Sequence, residues 1–395
     1  MGKLEQLIKE LCPDGVRYEK LEHCCNILDR QRRPVTKSAR ESGDYPYYGA
    51  NGIQDYVSDY IFDGTFILVG EDGSVMNKNG NPIVTWAQGK IWVNNHAHII
   101  EEIDRVLLRY LYHYIQTVDV TSLIHGNIPK LTGRDFKAIP IPLPPLPVQH
   151  EIVRILDNFT ELTAELITEL TAELTARKKQ YEYYRDSLFT FGDDVERKPL
   201  GEIATIIRGG NFQKKDFTER GIPCIHYGQI YTKYGLSATR TITFINENVA
   251  KKSKFANTND IIMAVTSENL EDVCKCVVWL GKEKVAISGH TAIIKHNQNA
   301  KFLAYYFHTA MFFKDKKKLA HGTKVIEVTP SKLGDIIVPL PSLSEQQRIV
   351  DILDRFDTLY NDISKRLLAE INDRQKRYEY YRNKLLSFKN IDVEV

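Results

Sequence analysis

The chain has 395 residues, of which 43% are hydrophobic and 26% charged, and its net charge is +2. This is the composition of an ordinary globular protein with room for two or three domains, and it excludes a disordered or disulfide-stapled chain. The six cysteines form no CxxC pair, so we expect reduced thiols, no metal site and a cytoplasmic location. No apolar run resembles a signal peptide or reaches transmembrane length, so no membrane association is expected.

Residues 1–142 are predicted to form an N-terminal segment and a first mixed α/β module. Stretches such as Gly64–Gly73 and Lys90–Ile100 are short, β-rich and interrupted by Gly, Asn and Asp. Arg and Lys suit phosphates or guanine edges, and Asn and Gln suit adenine, so loops rich in these types favour nucleic-acid binding. The candidates in this module are Arg30, Arg32, Arg33, Asn51, Gln54, His96, Asn127 and Lys130.

Residues 143–195 are predicted to form a long helix that follows a proline-rich entry. The prolines hold the chain extended and mark a domain boundary. A four-residue repeat, TEL-TAEL-ITEL-TAEL, runs from Thr160 to Leu174, and each added unit would lengthen a helix by about 6 Å without breaking its apolar face. The segment is therefore interpreted as a spacer of adjustable length.

Residues 196–339 are predicted to form a second mixed α/β module, with strands near Asn259–Val265 and Lys284–Ile294. It is basic, with 22 Lys and Arg against 13 Asp and Glu, which fits a polyanionic partner. A weak echo aligns His96 with His290, so we expect matching folds with different surfaces. The candidate binding residues are Arg208, Asn211, Gln213, Lys214, Lys215, Tyr227, Gln229, Ser267, Asn269, His290 and Lys324.

Residues 340–395 are predicted to form a second long helix that repeats the first. Residues 336–388 copy residues 139–191 at a constant offset of 197, with 25 of 53 positions identical and no gap. Apolar residues at intervals of three and four predict a stripe on each helix that is suited to coiled-coil pairing between them. The predicted seam is Ile152, Leu156, Phe159, Leu162 and Leu166 in the first helix, and Ile349, Leu353, Phe356, Leu359 and Ile363 in the second.

Each candidate binding residue also has a plainer interpretation. The Arg30–Arg33 run suits a solvated loop equally well, and His96 and His290 suit buried, hydrogen-bonded positions. Catalytic motifs are missing from the sequence, which contains no P-loop, GxGxxG, nucleophile elbow or HExxH. We therefore expect no catalytic residues and favour a binding or scaffolding role.

Two dissimilar modules on two nearly identical helices resemble the specificity subunits of type I restriction–modification systems. The resemblance rests on EIVRILD, TAEL and RKKQYEYYRD within Glu151–Asp186, and on EQQRIVDILDRFDTL and RQKRYEYYRNKLLSF within Glu345–Phe388. The segments YGANGIQDY, RGGNFQKKDF and YGQI are similar to target recognition domains. The likeness spans essentially the whole chain and is closest to the subgroup with TAEL-type spacer repeats (type IC-like), although here an ITEL unit interrupts the TAEL pattern.

The resemblance implies an α+β fold in which two target recognition domains, joined by an antiparallel pair of helices, are related by a pseudo-two-fold axis. Each domain would read one half of an asymmetric bipartite site in double-stranded DNA, and the helices would set the gap. Two modification subunits carrying S-adenosylmethionine would methylate adenine N6, and restriction subunits using ATP and Mg would translocate and cleave DNA. This chain would itself hold no cofactor.

Two other hypotheses stay open at this point. A self-contained DNA methyltransferase would need the missing motifs. A coiled-coil adaptor with protein-binding modules accounts for the helices but gives no reason for two divergent loop sets rich in Gly, Asn and Gln.

Overall fold

The computed structural model describes residues 2–392. The chain divides into two compact units: unit 1 holds the described residues up to Leu170 and from Leu368 onward, and unit 2 is Thr171–Leu367. Each unit combines a globular module, here module 1 or module 2, with parts of two long helices. Among the described residues, no helix is both long enough and apolar enough to span a bilayer.

Module 1 is built from three short helices and ten strands. The helices are α1 (Lys3–Leu11), α2 (Leu108–Ile115) and α3 (Gly133–Lys137). The strands are β1 (Tyr18–Lys20), β2 (Asn26–Ile27), β3 (Ser42–Gly49), β4 (Gly52–Val57), β5 (Phe62–Gly70), β6 (Val84–Val93), β7 (Ala97–Glu101), β8 (Ile124–His125), β9 (Lys130–Leu131) and β10 (Pro140–Pro142).

Six of these strands form one sheet in the order β2-β7-β5-β6-β3-β4. All neighbours are antiparallel except β3 and β6, which are parallel. Strand β5 lies near the centre, and its last five residues, Phe66–Gly70, are buried on both faces because α2 covers one face and a cluster of aromatic and aliphatic side chains covers the other. This rigid centre positions the loops at the ends of β5 and β7.

Module 2 is built from fourteen strands and six short helices. The strands are β11 (Arg197–Pro199), β12 (Ala204–Arg208), β13 (Phe217–Thr218), β14 (Ile222–Ile225), β15 (Ser237–Ala238), β16 (Thr243–Ile245), β17 (Lys254–Ala256), β18 (Ile261–Ala264), β19 (Thr266–Ser267), β20 (Cys276–Trp279), β21 (Val285–Ile287), β22 (Thr291–His296), β23 (Ile326–Glu327) and β24 (Ile337–Pro339). The two long helices are α4 (Leu146–Ser187) and α11 (Leu343–Leu385); the short helices of module 2 are α5 (Leu200–Ile203), α6 (Tyr227–Thr232), α7 (Glu247–Ala250), α8 (Ala300–Tyr306), α9 (Ala310–Leu319) and α10 (Pro330–Leu333).

The first sheet of module 2 repeats the topology of module 1. Its order, β12-β22-β18-β20-β15, is antiparallel throughout except for the parallel pair β15 and β20, as in the first five strands of the module 1 sheet. Module 2 adds a second sheet, β13-β16-β14-β21-β17, for which module 1 has no counterpart in the described chain. The prediction of matching folds is confirmed for the shared sheet.

The long helices run antiparallel in each unit. In unit 1 the ring of Phe159 lies 5.8 Å from that of Tyr381, and the hydroxyls of Thr160 and Tyr378 are 3.0 Å apart, so one helix ascends as the other descends. In unit 2 the same order appears, because Tyr181 stacks on Tyr360 at 5.0 Å while Tyr184 lies 5.9 Å from Phe356.

The predicted seam is only partly correct. Leu162 and Leu359 are 65% and 59% exposed, so most of each side chain faces solvent rather than being buried between the helices. In each helix the apolar positions before this leucine are spaced three residues apart twice in succession. Three residues turn a helix by about 300°, which is about 60° short of a full turn, so two such intervals rotate the leucine away from the opposite helix. The earlier seam positions are fully buried, but they pack into the cores of the modules: Ile152 and Leu156 in unit 1, and Ile349 and Leu353 in unit 2.

The remaining predicted seam positions are less buried. Phe159 and Phe356 are 40% and 36% exposed while contacting the opposite helix, and Leu166 and Ile363 are half-buried. The seam is therefore mixed, with globular-core packing at its ends and partial exposure along its length.

A polar clasp joins each long helix to its own module. In unit 1 the Asp157 carboxylate accepts hydrogen bonds from Arg109 at 2.8 Å and His113 at 2.7 Å. In unit 2 the equivalent Asp354 accepts from Lys301 at 2.7 Å and Tyr305 at 2.9 Å. Because the two donors lie one helical turn apart on α2 and on α8, the clasp fixes the helix against the module.

Candidate functional site

The loops at one end of the module 1 sheet are held by a buried ionic network. Arg32 donates to the Glu71 carboxylate at 2.7 Å and to the Ala97 carbonyl at 2.6 Å, and Lys130 Nζ lies 3.2 Å from the same carboxylate. Glu71 follows β5 and is only 8% exposed. A buried carboxylate requires compensating charge, and here two cations from different segments provide it. The network therefore fixes the Arg32 and Lys130 loops relative to the sheet.

The same network continues through His98 and Asp29. His98 Nδ1 lies 2.6 Å from Asp29 and its Nε2 lies 3.0 Å from the Leu131 carbonyl, while its ring stacks on Phe136 at 4.1 Å. Asp29 also accepts from the Ile99 amide. Desolvation is the largest single influence and opposes ionisation of Asp29. The hydrogen bond and charge of His98, the charge of Arg32 and the hydrogen bond from the Ile99 amide together outweigh it, so the pKa of Asp29 is lowered.

Asp29, Glu71 and His98 place ligand atoms within 4.8 Å of one another, a spacing that a metal ion would accept. The carboxylate of Glu71 is already paired with Arg32 and Lys130, and that of Asp29 with His98. Two fixed cations beside the cluster disfavour a third positive charge. These residues are better matched to holding loops than to holding an ion.

The outer residues of this loop cluster face solvent. His96 is exposed, and its Nδ1 is hydrogen-bonded to the Asp72 carboxylate. Gln54 accepts from the side chain of buried Asn94 at 3.3 Å. The remaining module 1 candidates are exposed: Arg30, Arg33, Asn51, Asn127 and Lys130. Arg32 differs, since its side chain is 12% exposed and serves the network.

Module 2 brings its candidates together at the equivalent end of its sheet. Arg208, at the end of β12, donates to the Gly289 carbonyl at 3.2 Å and pairs with Glu327 at 2.9 Å. His290, immediately before β22, lies with its Nδ1 3.0 Å from the Thr266 hydroxyl and its ring 5.0 Å from Tyr227. Five segments of the chain therefore meet around Arg208 and His290.

Beneath Tyr227, the buried His226 caps helix α6 through an Nδ1 that accepts from the Gly228 amide at 3.2 Å. Burial, followed by the charges of Lys214 and His290, lowers the pKa of His226 to about 4. The ring is consequently neutral near pH 7, as the cap requires an unprotonated acceptor.

The other module 2 candidates fall into two groups. The side chains of Gln229 and Asn269 bond to their own module: Gln229 accepts from the His226 amide and donates to Thr243, and Asn269 caps the turn at Asp272. Ser267 is half-buried beside that turn. The exposed candidates are Asn211, Gln213, Lys214, Lys215 and Lys324.

Sequence reasoning missed the residues that hold the candidates in place, chiefly Glu71, Asp72, His98 and Thr266. One signal was available, because His98 follows the candidate His96 by two residues in the same short segment. The others are acidic or hydroxyl residues whose partners lie on distant strands, and no local pattern distinguishes them.

A family model described as "Type I restriction modification DNA specificity domain" matches residues 13–176 and 192–373. A Haemophilus influenzae protein assigned as a type I restriction enzyme specificity subunit is 35% identical over 384 residues, which cover 94% of this chain and 96% of that protein. The EcoR124I/EcoR124II specificity subunit of Escherichia coli is 38% identical over 307 residues, 72% of each chain.

The fold is similar to that of one chain in a solved structure from work on "complex assembly and conformational transition of the type I R-M system". The TM-score is 0.69 at 17% identity, and the match covers 96% of this chain and 99% of that chain. The two family matches and the two close relatives together span both modules and both helices. The chain therefore belongs to the type I restriction–modification specificity subunit family.

Proposed function

We propose that this chain is the sequence-reading subunit of a type I restriction–modification complex, in which each module reads one half of an asymmetric bipartite site in double-stranded DNA. The observation that carries the proposal is that one sheet topology occurs twice with different polar loops at the same end. Two equivalent frames with different loop chemistry suit two half-sites of different sequence.

The electrostatics support the same proposal for module 2. Exposed cations, among them Lys214, Lys215 and Lys324, accompany the Arg208 and His290 loops. Positive side chains at such loops position a protein on phosphates, while amides such as Asn211 suit base edges. In module 1 the exposed Arg30, Arg33 and Lys130 take the same roles.

The long helices carry a repeated aromatic surface suited to two copies of one partner. In unit 1 a helix patch consists of Phe159, Leu162, Tyr380 and Tyr381, and in unit 2 the patch consists of Phe356, Leu359, Tyr183 and Tyr184. Every residue has its counterpart at the offset of 197, and the inter-helix rings are 5.8 Å apart in one patch and 5.9 Å in the other. Exposed clusters of large apolar side chains are typical of protein interfaces.

The partner proposed for these helix patches is the modification subunit, one copy on each. In this assembly S-adenosylmethionine and methyl transfer to adenine N6 belong to the modification subunits, and ATP, Mg, translocation and cleavage belong to the restriction subunits. This chain contributes recognition, the gap and the docking surfaces, and no catalysis.

The test is a genome-wide map of N6-methyladenine in cells that express this chain with its cognate modification subunit, compared with cells that lack this chain. We expect a new asymmetric bipartite motif. Absence of any motif, with the folded modification subunit present, would contradict the proposal and favour the adaptor hypothesis.

A further inference from the structure

Two histidines, His96 and His290, occupy the same position in the two modules. Strand register establishes this, because Gly70 pairs with Ala97 in module 1 and Ala264 pairs with Thr291 in module 2. One residue beyond these pairs, each module has the same backbone hydrogen bond between its two strands. The Glu71 amide donates to the His96 carbonyl at 2.8 Å, and the Val265 amide donates to the His290 carbonyl at 3.0 Å.

The equivalence extends to the next strand. The Leu131 amide donates to the Glu71 carbonyl at 2.8 Å, and the Val328 amide donates to the Val265 carbonyl at 3.0 Å. The backbone around each histidine is therefore the same over three neighbouring segments, although the two modules differ in sequence and module 2 carries an additional sheet.

Both imidazoles are anchored in the same way. His96 Nδ1 contacts Asp72, and His290 Nδ1 contacts Thr266 at 3.0 Å; each of these partners lies two residues beyond the last paired residue of the central strand. Both histidines are exposed, and within residues 2–392 no hydrogen bond holds either Nε2. Each ring is thus fixed through one nitrogen and presents the other to solvent.

The side chains around the two histidines differ in charge at nearly every equivalent position. Asp72 corresponds to Thr266, and Glu71 corresponds to Val265. Lys130 corresponds to Glu327, because Lys130 pairs with Asp72 in module 1 and Glu327 pairs with Thr266 in module 2. Side chains that differ between the modules suit the bases, which differ between the half-sites. A histidine that occurs at the same position in both modules suits a component of DNA that is the same in both half-sites. The component common to all duplex DNA is the sugar–phosphate backbone.

We propose that His96 and His290 make an equivalent contact twice: the outward Nε2 of each donates to a DNA phosphate at the equivalent place in its half-site. His290 would do so as a neutral ring whose Nδ1 accepts from the Thr266 hydroxyl, which leaves the proton on Nε2. His96 would do so as an imidazolium held between the Asp72 carboxylate and the phosphate, because its Nδ1 already donates to Asp72. The inference rests on the proposed function and assigns these two histidines to positioning rather than to base reading. The neighbouring cations, Lys130 in module 1 and Arg208 in module 2, are each paired with a carboxylate, Glu71 and Glu327, so the proposed contact rests on the histidines themselves.

The test uses the complete complex of this chain with its modification subunits and measures the affinity for a cognate duplex. Loss of one phosphate hydrogen bond in His96→Ala or His290→Ala is expected to weaken binding by about threefold to tenfold, and the factors should multiply in the double variant. His96→Gln, which keeps a donor, should recover part of the loss. The methylated motif in cells should keep the same bases in both half-sites.

Duplexes that carry a neutral methylphosphonate at single positions then locate the contact. The wild-type complex should lose affinity at one phosphate in each half-site. The His96→Ala complex should show no further loss at the phosphate in the first half-site, and should retain the loss in the second. His23→Ala, which changes an exposed histidine elsewhere in module 1, should match wild type.

Three results would overturn the inference while leaving the proposed function intact. A change of preferred base in one half-site would make the histidine a base reader. Unchanged affinity in the double variant, or a phosphate effect that persists in His96→Ala, would remove the contact altogether. Failure of the proposed function has a different signature, since the wild-type complex would then show no bipartite preference at all.

Discussion

At the scale of residues, module 1 depends on a single buried carboxylate that serves two loops. Glu71 is shared by Arg32 and Lys130, and His98 lies 3.6 Å away. A buried ion pair contributes little compared with an apolar replacement, but removal of one member leaves the other charges uncompensated. The network is therefore more sensitive to a neutral substitution than an exposed ion pair would be.

Glu71→Gln is expected to lower the free energy of unfolding of unit 1 by about 3 kcal/mol, because Arg32 would be left buried beside a neutral amide. Urea unfolding of the full chain, followed by hydrogen exchange of unit 1 amides, measures the change. Glu22→Gln, at an exposed position in the same unit, serves as the control. Equal stability of the two variants would show that Glu71 does not hold the loops.

The capping histidine of α6 predicts a pH dependence in unit 2. Because the pKa of His226 is about 4 in the folded chain and near 6.5 when unfolded, the unfolded chain binds the extra proton between these values. The contribution to stability is complete above pH 6.5 and is lost as the pH falls toward 4.

His226→Asn keeps a side-chain acceptor at the cap but removes the titration. Between pH 7.5 and pH 4.5, wild type is expected to lose on the order of 2 kcal/mol more stability than the variant. Denaturation of unit 2 at the two pH values gives the difference. Parallel losses in both proteins would mean that burial does not control this histidine.

At the scale of elements, the spacer predicts how the DNA site is divided. Deletion of Thr171–Leu174 removes one TAEL unit, which shortens α4 by about 6 Å and turns it about one revolution. At about 3.4 Å per base pair, the methylated motif should lose one or two base pairs from its gap and keep both half-sites.

The matched control for the deletion is Thr168→Ala, which changes an exposed spacer residue without altering the length of the helix. Its motif should be identical to that of wild type. Altered bases in either half-site after the deletion would contradict the role of the helices as a ruler.

The sequence predicted the features that occur twice in the chain. It did not predict the side-chain contacts between segments that are distant in the chain and adjacent in the fold. The repeat at offset 197 predicted two long helices, and the weak echo around His96 and His290 proved to be a true register match. The Glu71 network was not predictable, because its members come from four separate segments whose adjacency depends on strand order. The seam was overextended at Leu162, where helical rotation outweighed the three-residue spacing.

At the scale of the whole molecule, duplication supplies two equivalent helix patches and two modules with different loops, which the proposed function assigns to docking and to reading. The helix patches of the two units match in residue type, in exposure and in ring geometry. Because identical surfaces bind identical partners, the stoichiometry of the complex should follow the number of intact patches.

Leu162→Arg and Leu359→Arg place a charge in one helix patch each, and a charge without a partner in an apolar interface is costly. Native mass spectrometry should find one modification subunit bound to either single variant and none to the double variant. Ile242→Arg, at an exposed apolar position of module 2, should retain two. Two bound subunits in the double variant would place the docking surface elsewhere.

An exchange of one module tests whether each module reads its own half of the DNA site. Residues 196–339 would be replaced by the corresponding module of a relative with a known motif, the helices would be kept, and N6-methyladenine would be mapped in cells with the cognate modification subunit. We expect a hybrid motif in which one half-site changes to that of the relative while the other half-site and the gap stay the same. An unchanged motif, or a change in both half-sites together, would contradict the claim that each module reads its own half of the site.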